Sequence, residues 1–405
     1  MSTSITNLPA PTFINDGIGT DPNAILAAMI SEFESASGRM LYPAQVERLL
    51  INLYAYRESL TRTQIEAVAK GLLLAFAVYP IIDYLGQLVG VPRLAAVAAT
   101  VTLQFTLTEA LTVVLTVPSG TQVGTSDGAH IFALTSDLII PAGATTGTAQ
   151  GTCTTEGTGG NGYIAGQIAT LINANSLIAS VTNTTTSAGG SATETDSHLR
   201  QRIRMAPSQF SVAGPEGAYQ YLAFGADPSI SDVGVTTPVP GTVQLYILCG
   251  PITVQPAAAP NAVGIPSSAI LAKVLASCSA STARPLCDTV LASAVTEVDY
   301  TIAATVTLYS DAAASTSETA AQDAAEALAI TLANAVGTDL IPSQWIGALQ
   351  VSGVYEVSSV VISASVNGVD LGNQSDGSVA LASNQWANCT AINLNFQIGT
   401  KATPV

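Results

Sequence analysis

The spacing of the apolar residues changes near residue 96, and this change constrains the fold more than any other feature of the sequence. Before it, Val46, Leu49 and Leu53 follow one another at helical spacing. After it, apolar and polar residues alternate through 101–106, as in a half-buried strand. The sequence therefore predicts a helical N-terminal region followed by a β domain. Glu47, Arg48 and Glu58 face away from these apolar residues, and the interleaved charges of this region are expected to form a solvated or partner-facing surface.

Two signals divide the helical region further. Thr63 and Glu66 have the spacing of a capping box, which predicts that a second helix begins there. Pro80 is well placed as the first residue of a short helix that ends at Leu88.

The sequence after residue 95 predicts a β domain, followed by a region of mixed helices and strands. Turn-forming residues recur after 117, and a Thr, Ser and Gly stretch at 183–192 is typical of a linker. Helices are predicted at Asp196–Met205, after Pro215 and at 315–336, where Ser315 and Glu318 form a second capping box. Strands are predicted near 233–235, 243–248, 300–308, 354–362 and 392–398.

The predicted fold class is α+β and multidomain. Its four parts are an N-terminal helical region at 1–95, a small all-β domain at 96–192, a central α+β domain at 193–310, and a C-terminal α/β segment, a helix plus strands, at 311–405.

Composition excludes several functional classes. Charged residues are 10% of the chain, against about 25% in average proteins, and hydrophobic residues are 48%. The net charge of −16 argues against nucleic acid as a partner, because phosphate binding needs clustered cations. No apolar run reaches the roughly 18 residues of a membrane span, and residues 1–11 do not resemble a secretory signal. A chain this rich in apolar residues is expected to bury apolar surface against other subunits.

Two strings resemble catalytic or cofactor motifs, and neither has the right surroundings. Gly124–Gly128 matches GxSxG, but a nucleophile elbow needs a following helix, whereas Asp127-Gly128 is a hairpin signal. Gly157–Gly162 matches GxGxxG without the helix and acidic residue of a dinucleotide site. We therefore predict no enzyme activity, no cofactor and no metal site. The five cysteines form no CxxC pair and are expected to be reduced thiols.

Residues 192–204 contain the densest charge in the sequence, and they allow two interpretations. Acids at the start of a helix and arginines towards its end both stabilise the helix dipole. Alternatively, the arginines hold carboxylates of a partner in bidentate pairs. Both interpretations stay open at this point.

This segment also carries a family resemblance. Glu194-Thr195-Asp196, followed by Leu199-Arg200 and Arg202-Ile203, resembles the signature of the baseplate J-like family of contractile phage tails. Further stretches follow in the family's order. They are Pro118–Thr121, Glu156-Gly157 with Gly160–Gly162, Gly217–Tyr219 through Ala226–Pro228, Pro240–Val243, and Arg284–Leu286.

The resemblance implies a structural wedge protein of a contractile tail or tailocin-like injection system. Two copies would join one I-type wedge protein, and six such units would form a ring around the central hub and spike. The ring would pass the contraction signal to the sheath through a sheath-initiating baseplate protein. The N-terminal helices are expected to bundle with the partner, and the C-terminal regions to pair two copies. The chain would be made in the host cytoplasm and located in the virion, at the tail baseplate.

Residue expectations follow from the helix faces and from the matched motifs. Interface or structural roles are expected for Leu49, Leu53, Arg57, Leu72, Phe76, Glu194, Asp196, Leu199, Arg200, Arg202 and Arg284. Two hinges are expected, one in 183–192 at Gly189 and Gly190, and one in 205–215 at Pro207 and Gly214. The alternative is an extracellular adhesin or surface-layer-like protein, which the Thr- and Ser-rich strands and the acidic composition also suit.

Overall fold

The computed structural model describes residues 10–173, 175–210, 214–250, 264–280, 283–285 and 287–401. It divides into two units. The first comprises Met1–Arg93 with Leu199–Arg204, and the second comprises Leu94–His198 with Met205–Val405.

The first unit is helical, as predicted. Its helices before residue 94 are α1 (Pro22–Ser37), α2 (Val46–Gly71) and α3 (Ile81–Leu88). The Asp21 carboxylate caps α1 by accepting the amide N–H of Asn23, and Gly38 ends the helix in the left-handed conformation at φ 67°. The sequence analysis did not predict α1.

The second helix is continuous, so the capping box at Thr63 is wrong. The Thr63 hydroxyl donates to the Ser59 carbonyl inside the helix, 2.8 Å away. The Glu66 carboxylate accepts the amide N–H groups of Phe13 and Ile14 instead of an N–H at a helix start. Both side chains therefore have other partners, and the helix has no reason to end between them.

The second unit begins with a six-stranded, barrel-like sheet in the order β7-β3-β4-β6-β1-β8, beside a two-stranded ladder of β2 and β5. Its strands are β1 (Ala98–Leu107), β2 (Leu115–Val117), β3 (Gln122–Thr125), β4 (Ile131–Leu134), β5 (Leu138–Ile140), β6 (Thr146–Glu156), β7 (Ile168–Leu171) and β8 (Ile178–Asn183). Alternate residues of β1 point into a common core that includes Val101, Leu103 and Phe105, which explains the period of two. The two end strands meet at Asn183, whose side-chain oxygen accepts the amide N–H of Ile168 at 2.9 Å.

The stretch predicted as a linker at 183–192 is tied to the barrel. Ala188 exchanges two backbone hydrogen bonds with Thr100, and Ser191 exchanges two with Val97. The side-chain amide of Asn161 donates to the carbonyl of Gly190 and accepts the N–H of the same residue. These contacts make the stretch an ordered part of the barrel domain.

A three-stranded sheet forms the central domain. Helix α4 (Asp196–Met205) and a short 3-10 helix (Ala206–Phe210) precede it, and α4 contributes Leu199–Arg204 to the first unit. The remaining elements are α5 (Glu216–Phe224), β9 (Ile230–Thr236), β10 (Thr242–Cys249), α6 (Ser268–Ser279) and β11 (Thr289–Ala294). β10 lies between β9 and β11, antiparallel to the first and parallel to the second.

The C-terminal domain is a four-stranded sheet with two helices. Its elements are β12 (Thr296–Leu308), α7 (Ala314–Ala333), α8 (Pro342–Leu349), β13 (Val354–Val366), β14 (Val369–Asp370) and β15 (Gln385–Ile398), and the strand order is β14-β13-β12-β15. Because β12 pairs with β13 and β15, it belongs to this sheet, although the predicted boundary at 310/311 assigned it to the central domain. The capping box at Ser315 is wrong as well, because α7 begins after Ala313 without a side-chain cap.

Helices, a barrel-like sheet and two mixed domains confirm the α+β, multidomain fold class. No helix in the described part of the chain is both long and apolar enough to cross a bilayer.

Candidate assembly interface

One side of α2 packs against the chain itself, and this side is largely polar. Ala55 is buried, and the Ser59 hydroxyl donates to the Thr20 carbonyl at 2.7 Å. Arg62 forms ion pairs with Asp16 and Glu58. These residues recur every three or four positions, so they share one side of the helix, which faces the segment before α1 and α1 itself.

Charge reinforces this contact. The Asp16 carboxylate accepts the N–H groups of Gly19 and Ile18 and pairs with Arg62, and these interactions lower the pKa of Asp16 to about 2. The same ion pairs, with Glu58 first and Asp16 second, raise the pKa of Arg62. Arg62 and Glu58 of α2 are therefore engaged in ion pairs inside the unit.

The opposite side of α2 is apolar and uncovered by the described chain. We call it the apolar face of α2, and it consists of Val46, Leu49, Leu50, Leu53, Leu60 and Val68. These side chains are between 41% and 69% exposed. Scattered exposed leucines are ordinary in proteins, but a contiguous row on one helix marks an interaction site.

The charged residues that were predicted on a solvated or partner-facing side of α2 are placed differently in the structure. The apolar residues of α2 face outward, whereas Glu47, Arg48 and Glu58 are half-buried. The physical reason is that Ala55 and Ser59 allow α1 to approach closely, and large side chains there would keep it away. The helical spacing of the apolar residues is confirmed, and the charged residues lie towards the side that the chain itself covers.

The exposed apolar surface continues beyond the helix. Leu72 is 64% exposed directly after α2, and Tyr84 and Leu88, one turn apart on α3, are 66% and 81% exposed. Of the residues predicted for an interface, Leu49, Leu53, Arg57 and Leu72 are thus exposed, and Phe76 is half-buried. The exposed aromatic residues of this surface, which the sequence analysis missed, are Tyr54, Tyr56 and Tyr84.

The charged residues of α4 have internal partners instead. Arg200 donates to the carbonyls of Leu74 and Ala77, and Arg202 donates to the carbonyl of Pro92. Leu199 is fully buried in the same unit. Within the described chain these two arginines therefore bind backbone carbonyls of the first unit.

Glu194 is buried at the other end of this segment, in the second unit. Its carboxylate accepts the amide N–H of Leu94 and contacts Nδ1 of His198, which lies one helical turn further on. The Phe224 ring packs beside the imidazole. Asp196 is half-buried in the first turn of α4. Both acids therefore lie inside the fold around the start of α4.

The remaining predicted residues lie in the second unit. Arg284 donates to the carbonyls of Ser279 and Asp288, so it supports a loop of the central domain. Gly189 and Gly190 belong to the ordered stretch beside β1, and a Cβ on Gly190 would collide with the carbonyl of Gly157. Pro207 is exposed in the 3-10 helix.

Gly214 has a φ of 77°, and residues 211–213 of the second predicted hinge lie outside the described residues.

The motif-like strings occupy turns. Ser126 lies between β3 and β4, and the neighbouring Asp127 accepts the Thr125 hydroxyl and the N–H of Ala129, as in a hairpin turn. The glycine string at 157–162 follows β6 and leads into no helix. Among the described residues, no group of three or more His, Cys, Asp and Glu side chains has the geometry of a metal site.

The order of the domains along the chain matches that of a known protein family. Models for baseplate J-like proteins match the chain in four consecutive parts: the N-terminal domain at 47–100, the barrel domain at 102–190, the central domain at 211–294 and the C-terminal domain at 300–395. The chain belongs to the baseplate J-like protein family. The resemblance noted in the sequence is confirmed.

Two individual proteins illustrate the relationship. Baseplate protein J of Escherichia phage P2 is 34% identical over 164 residues, which are 40% of this chain and 51% of that protein. The match therefore spans about half the length of this relative. A chain of the anti-feeding prophage baseplate, solved by cryo-electron microscopy with six-fold symmetry, aligns over 90% of this chain and 89% of its own, at 14% identity and a TM-score of 0.40.

Proposed function

We propose that this baseplate J-like protein is a structural wedge component that acts through its interfaces and catalyses no reaction. It joins a second, I-type wedge protein in a six-fold ring around the hub and spike, and the ring relays contraction to the sheath. The observation that carries this proposal is the apolar face of α2. Its side chains are exposed to solvent, whereas the β domains of the same chain have buried hydrophobic cores, so this face needs a partner to cover it.

The spacing of the exposed residues favours a helix as the partner. Val46, Leu53 and Leu60 are seven residues apart, and Leu49 and Tyr56 lie between them at the spacing of the second heptad position. All five are more than 40% exposed. Apolar side chains at these two heptad positions insert between the side chains of a facing helix. We therefore propose that α2 forms a helical bundle with the second wedge protein.

The partner set and stoichiometry are part of the proposal. Two copies of this chain meet one I-type protein in each wedge, and the assembled ring contacts the hub and the sheath-initiating baseplate protein. The name of the phage P2 relative supports the baseplate setting. Relay of the signal requires that domains move relative to one another, and we retain the predicted hinge at 205–215, because 183–192 is tied to β1.

A double substitution on the exposed face tests the proposal. Leu49→Glu with Leu53→Glu places two charges on the apolar face of α2 while leaving the packed side with Ala55 and Ser59 unchanged. We expect the isolated chain to keep its fold and the producing cells to yield few or no complete tails by electron microscopy. Burying unpaired carboxylates in a helix–helix contact is strongly unfavourable.

The matched control adds two carboxylates to the same unit on exposed positions of α1. Ser31→Glu with Ser35→Glu has the same spacing and charge, and both serines are exposed. This variant should assemble tails normally. Wild-type numbers of complete, contractile tails from the Leu49/Leu53 variant would contradict the proposal.

A further inference from the structure

The strand β15 forms one end of the C-terminal sheet, and most of its outer edge has no strand beside it in the described chain. It pairs with β12 along its full length, from Thr296↔Gln385 to Leu308↔Ile398. Val336 and Gly337 approach the outer edge only at its first two residues, Gln385 and Trp386. The backbone N–H and C=O groups that point outward beyond this site are therefore open to another strand.

The exposed edge lacks the features that usually prevent strand pairing. From Gln385 to Ile398 there is no Lys, Arg, Asp, Glu, Pro or Gly. Proteins protect exposed edges with charges, prolines, bulges or short strands. The other end of the same sheet has such features, because β14 has only two residues and β13 beside it contains Glu356, Ser359 at a φ of 52° and two register shifts against β12. In β15 the register shifts once, between Cys389 and Ala391, and it is regular from there onward.

The open part of the strand has a palindromic pattern. Ile392-Asn393-Leu394-Asn395-Phe396 is the same sequence of apolar and amide residues read in either direction. Ile392, Leu394 and Phe396 pack half-buried at the margin of the core, while Asn393 and Asn395 are exposed on the other face. Such a strand is complementary to itself when it is turned by a twofold axis perpendicular to the sheet.

We propose that β15 is a self-pairing edge, and that a second copy of this chain adds its own β15 in antiparallel orientation, centred on Leu394. In this register Leu394 of one copy lies opposite Leu394 of the other. Asn393 lies opposite Asn395 of the other copy, and Ile392 lies opposite Phe396. Each apolar residue then meets an apolar residue on the core face, and each amide meets an amide on the outer face. The interface is isologous, so it closes at two copies.

Charge limits where two copies of this chain can meet. The whole chain carries a net charge of −16, so two copies repel each other over most of their surface. The open part of β15 is uncharged and allows contact without opposing acids. The inference rests on the proposed function only in its use of two copies per wedge, for which it names the surface, and it is tested on the purified chain.

The test is a charge exchange across the predicted register. The full chain is prepared with L49E/L53E so that α2 does not contribute to association, and its mass is measured by sedimentation against concentration. We expect a dimer of twice the 41.1 kDa chain mass. Adding N393D/N395D, or separately N393K/N395K, places like charges opposite each other in two cross-strand pairs. Each change should raise the dissociation constant about tenfold or more.

Mixing the two variants provides the decisive observation. In the mixture, lysines lie opposite carboxylates, and a heterodimer should form at least as tightly as the parent dimer. The control V361D/S363D adds the same charge to the same face on β13, away from the edge, and should leave the parent dimer unchanged. A parent that is monomeric at all concentrations, a dimer that tolerates N393D/N395D, or a mixture that associates no better than its components would overturn the inference. None of these results depends on tail assembly, which tests the wedge proposal separately.

Discussion

Asn183 is the residue whose side chain does most to close the barrel. It is 1% exposed, its oxygen accepts the N–H of Ile168, and its amide group donates to the carbonyls of Ile164 and Thr185 at 2.9 and 2.8 Å. One side chain thus satisfies backbone groups of β7, of the segment before β7 and of the segment after β8. A buried backbone group that loses its partner costs about 1–3 kcal/mol.

We predict that Asn183→Ala destabilises the barrel by about 3 kcal/mol, because several of these backbone groups lose their partner together. Hydrogen exchange followed by mass spectrometry should show faster exchange in β1, β7 and β8, with the α2 region unaffected. Thr186→Ala, three residues away and exposed, is the control and should change nothing. Equal protection of the barrel in both variants would show that the Asn183 bonds are dispensable.

The sequence did not reveal Asn183. It lies at the start of a Thr- and Ser-rich stretch with the composition of a linker, and its bonding partners are Ile168 and the 163–164 backbone, 15 to 20 residues earlier. Composition reports on local flexibility, whereas this side chain is fixed by contacts across the sheet. The same reason explains why Gly189 and Gly190 suggested a hinge.

Asp16 gives the first unit a defined response to acid. Its pKa is about 2 in the folded chain against an ordinary value of 3.8, because the N–H groups of Gly19 and Ile18 and the Arg62 guanidinium stabilise the carboxylate. A depressed pKa means that the stabilisation is complete above about pH 4 and is lost as the pH falls towards 2. We predict that the amides of Ile18 and Gly19 lose exchange protection over this interval.

The variant Asp16→Asn is the control, because it has no carboxyl group to titrate at this position. Its exchange at Ile18 and Gly19 should be independent of pH over the same interval, after correction for intrinsic rates. Identical pH profiles for the two proteins would contradict the assignment to Asp16.

At the scale of elements, the two sides of α2 should respond differently to substitution. Ala55 is 2% exposed against the α1 side, whereas Leu53 is 59% exposed on the apolar face. Ala55→Leu should lower the free energy of unfolding of the isolated chain by about 1–3 kcal/mol through overpacking. Leu53→Ala should change it by less than about 0.5 kcal/mol. Urea denaturation monitored by helical circular dichroism compares the two.

The pair also tests the orientation of the helix. If Leu53→Ala were the more damaging change in the isolated chain, the apolar face would pack inward and the proposed orientation would be wrong. In assembled tails the order should be reversed, because there Leu53 is proposed to contact the partner.

Elements differ in how well the sequence predicts them. Helix α4 was predicted at its observed bounds, because acids at its start and arginines at its end both mark the helix termini. The break in α2 and the cap of α7 were wrong, since the residues of both capping boxes have other roles in the fold. β12 was predicted as a strand, but its sheet was not, because pairing with β13 and β15 depends on residues that are 46 to 90 positions away.

At the scale of the molecule, the order of domains was predictable and the surfaces that assemble were only partly so. Periodicity and charge separate the helical, barrel, central and C-terminal parts, and the family matches follow the same order. Which apolar surface is left uncovered depends on packing within the chain. The residues Leu49, Leu53 and Leu72 were selected for their helix face, and their exposure became apparent only from the position of α1.

The central claim is that the apolar face of α2 is covered by another subunit in the assembled baseplate. Hydroxyl-radical footprinting of purified chain and of intact tails tests it most directly, with Tyr54, Tyr56 and Leu53 as the reporting side chains and Tyr42 as an exposed residue outside α2. We predict that oxidation of the α2 reporters falls at least fivefold on assembly, since a helix–helix contact excludes solvent. Equal oxidation of these side chains in free chain and in tails would contradict the account.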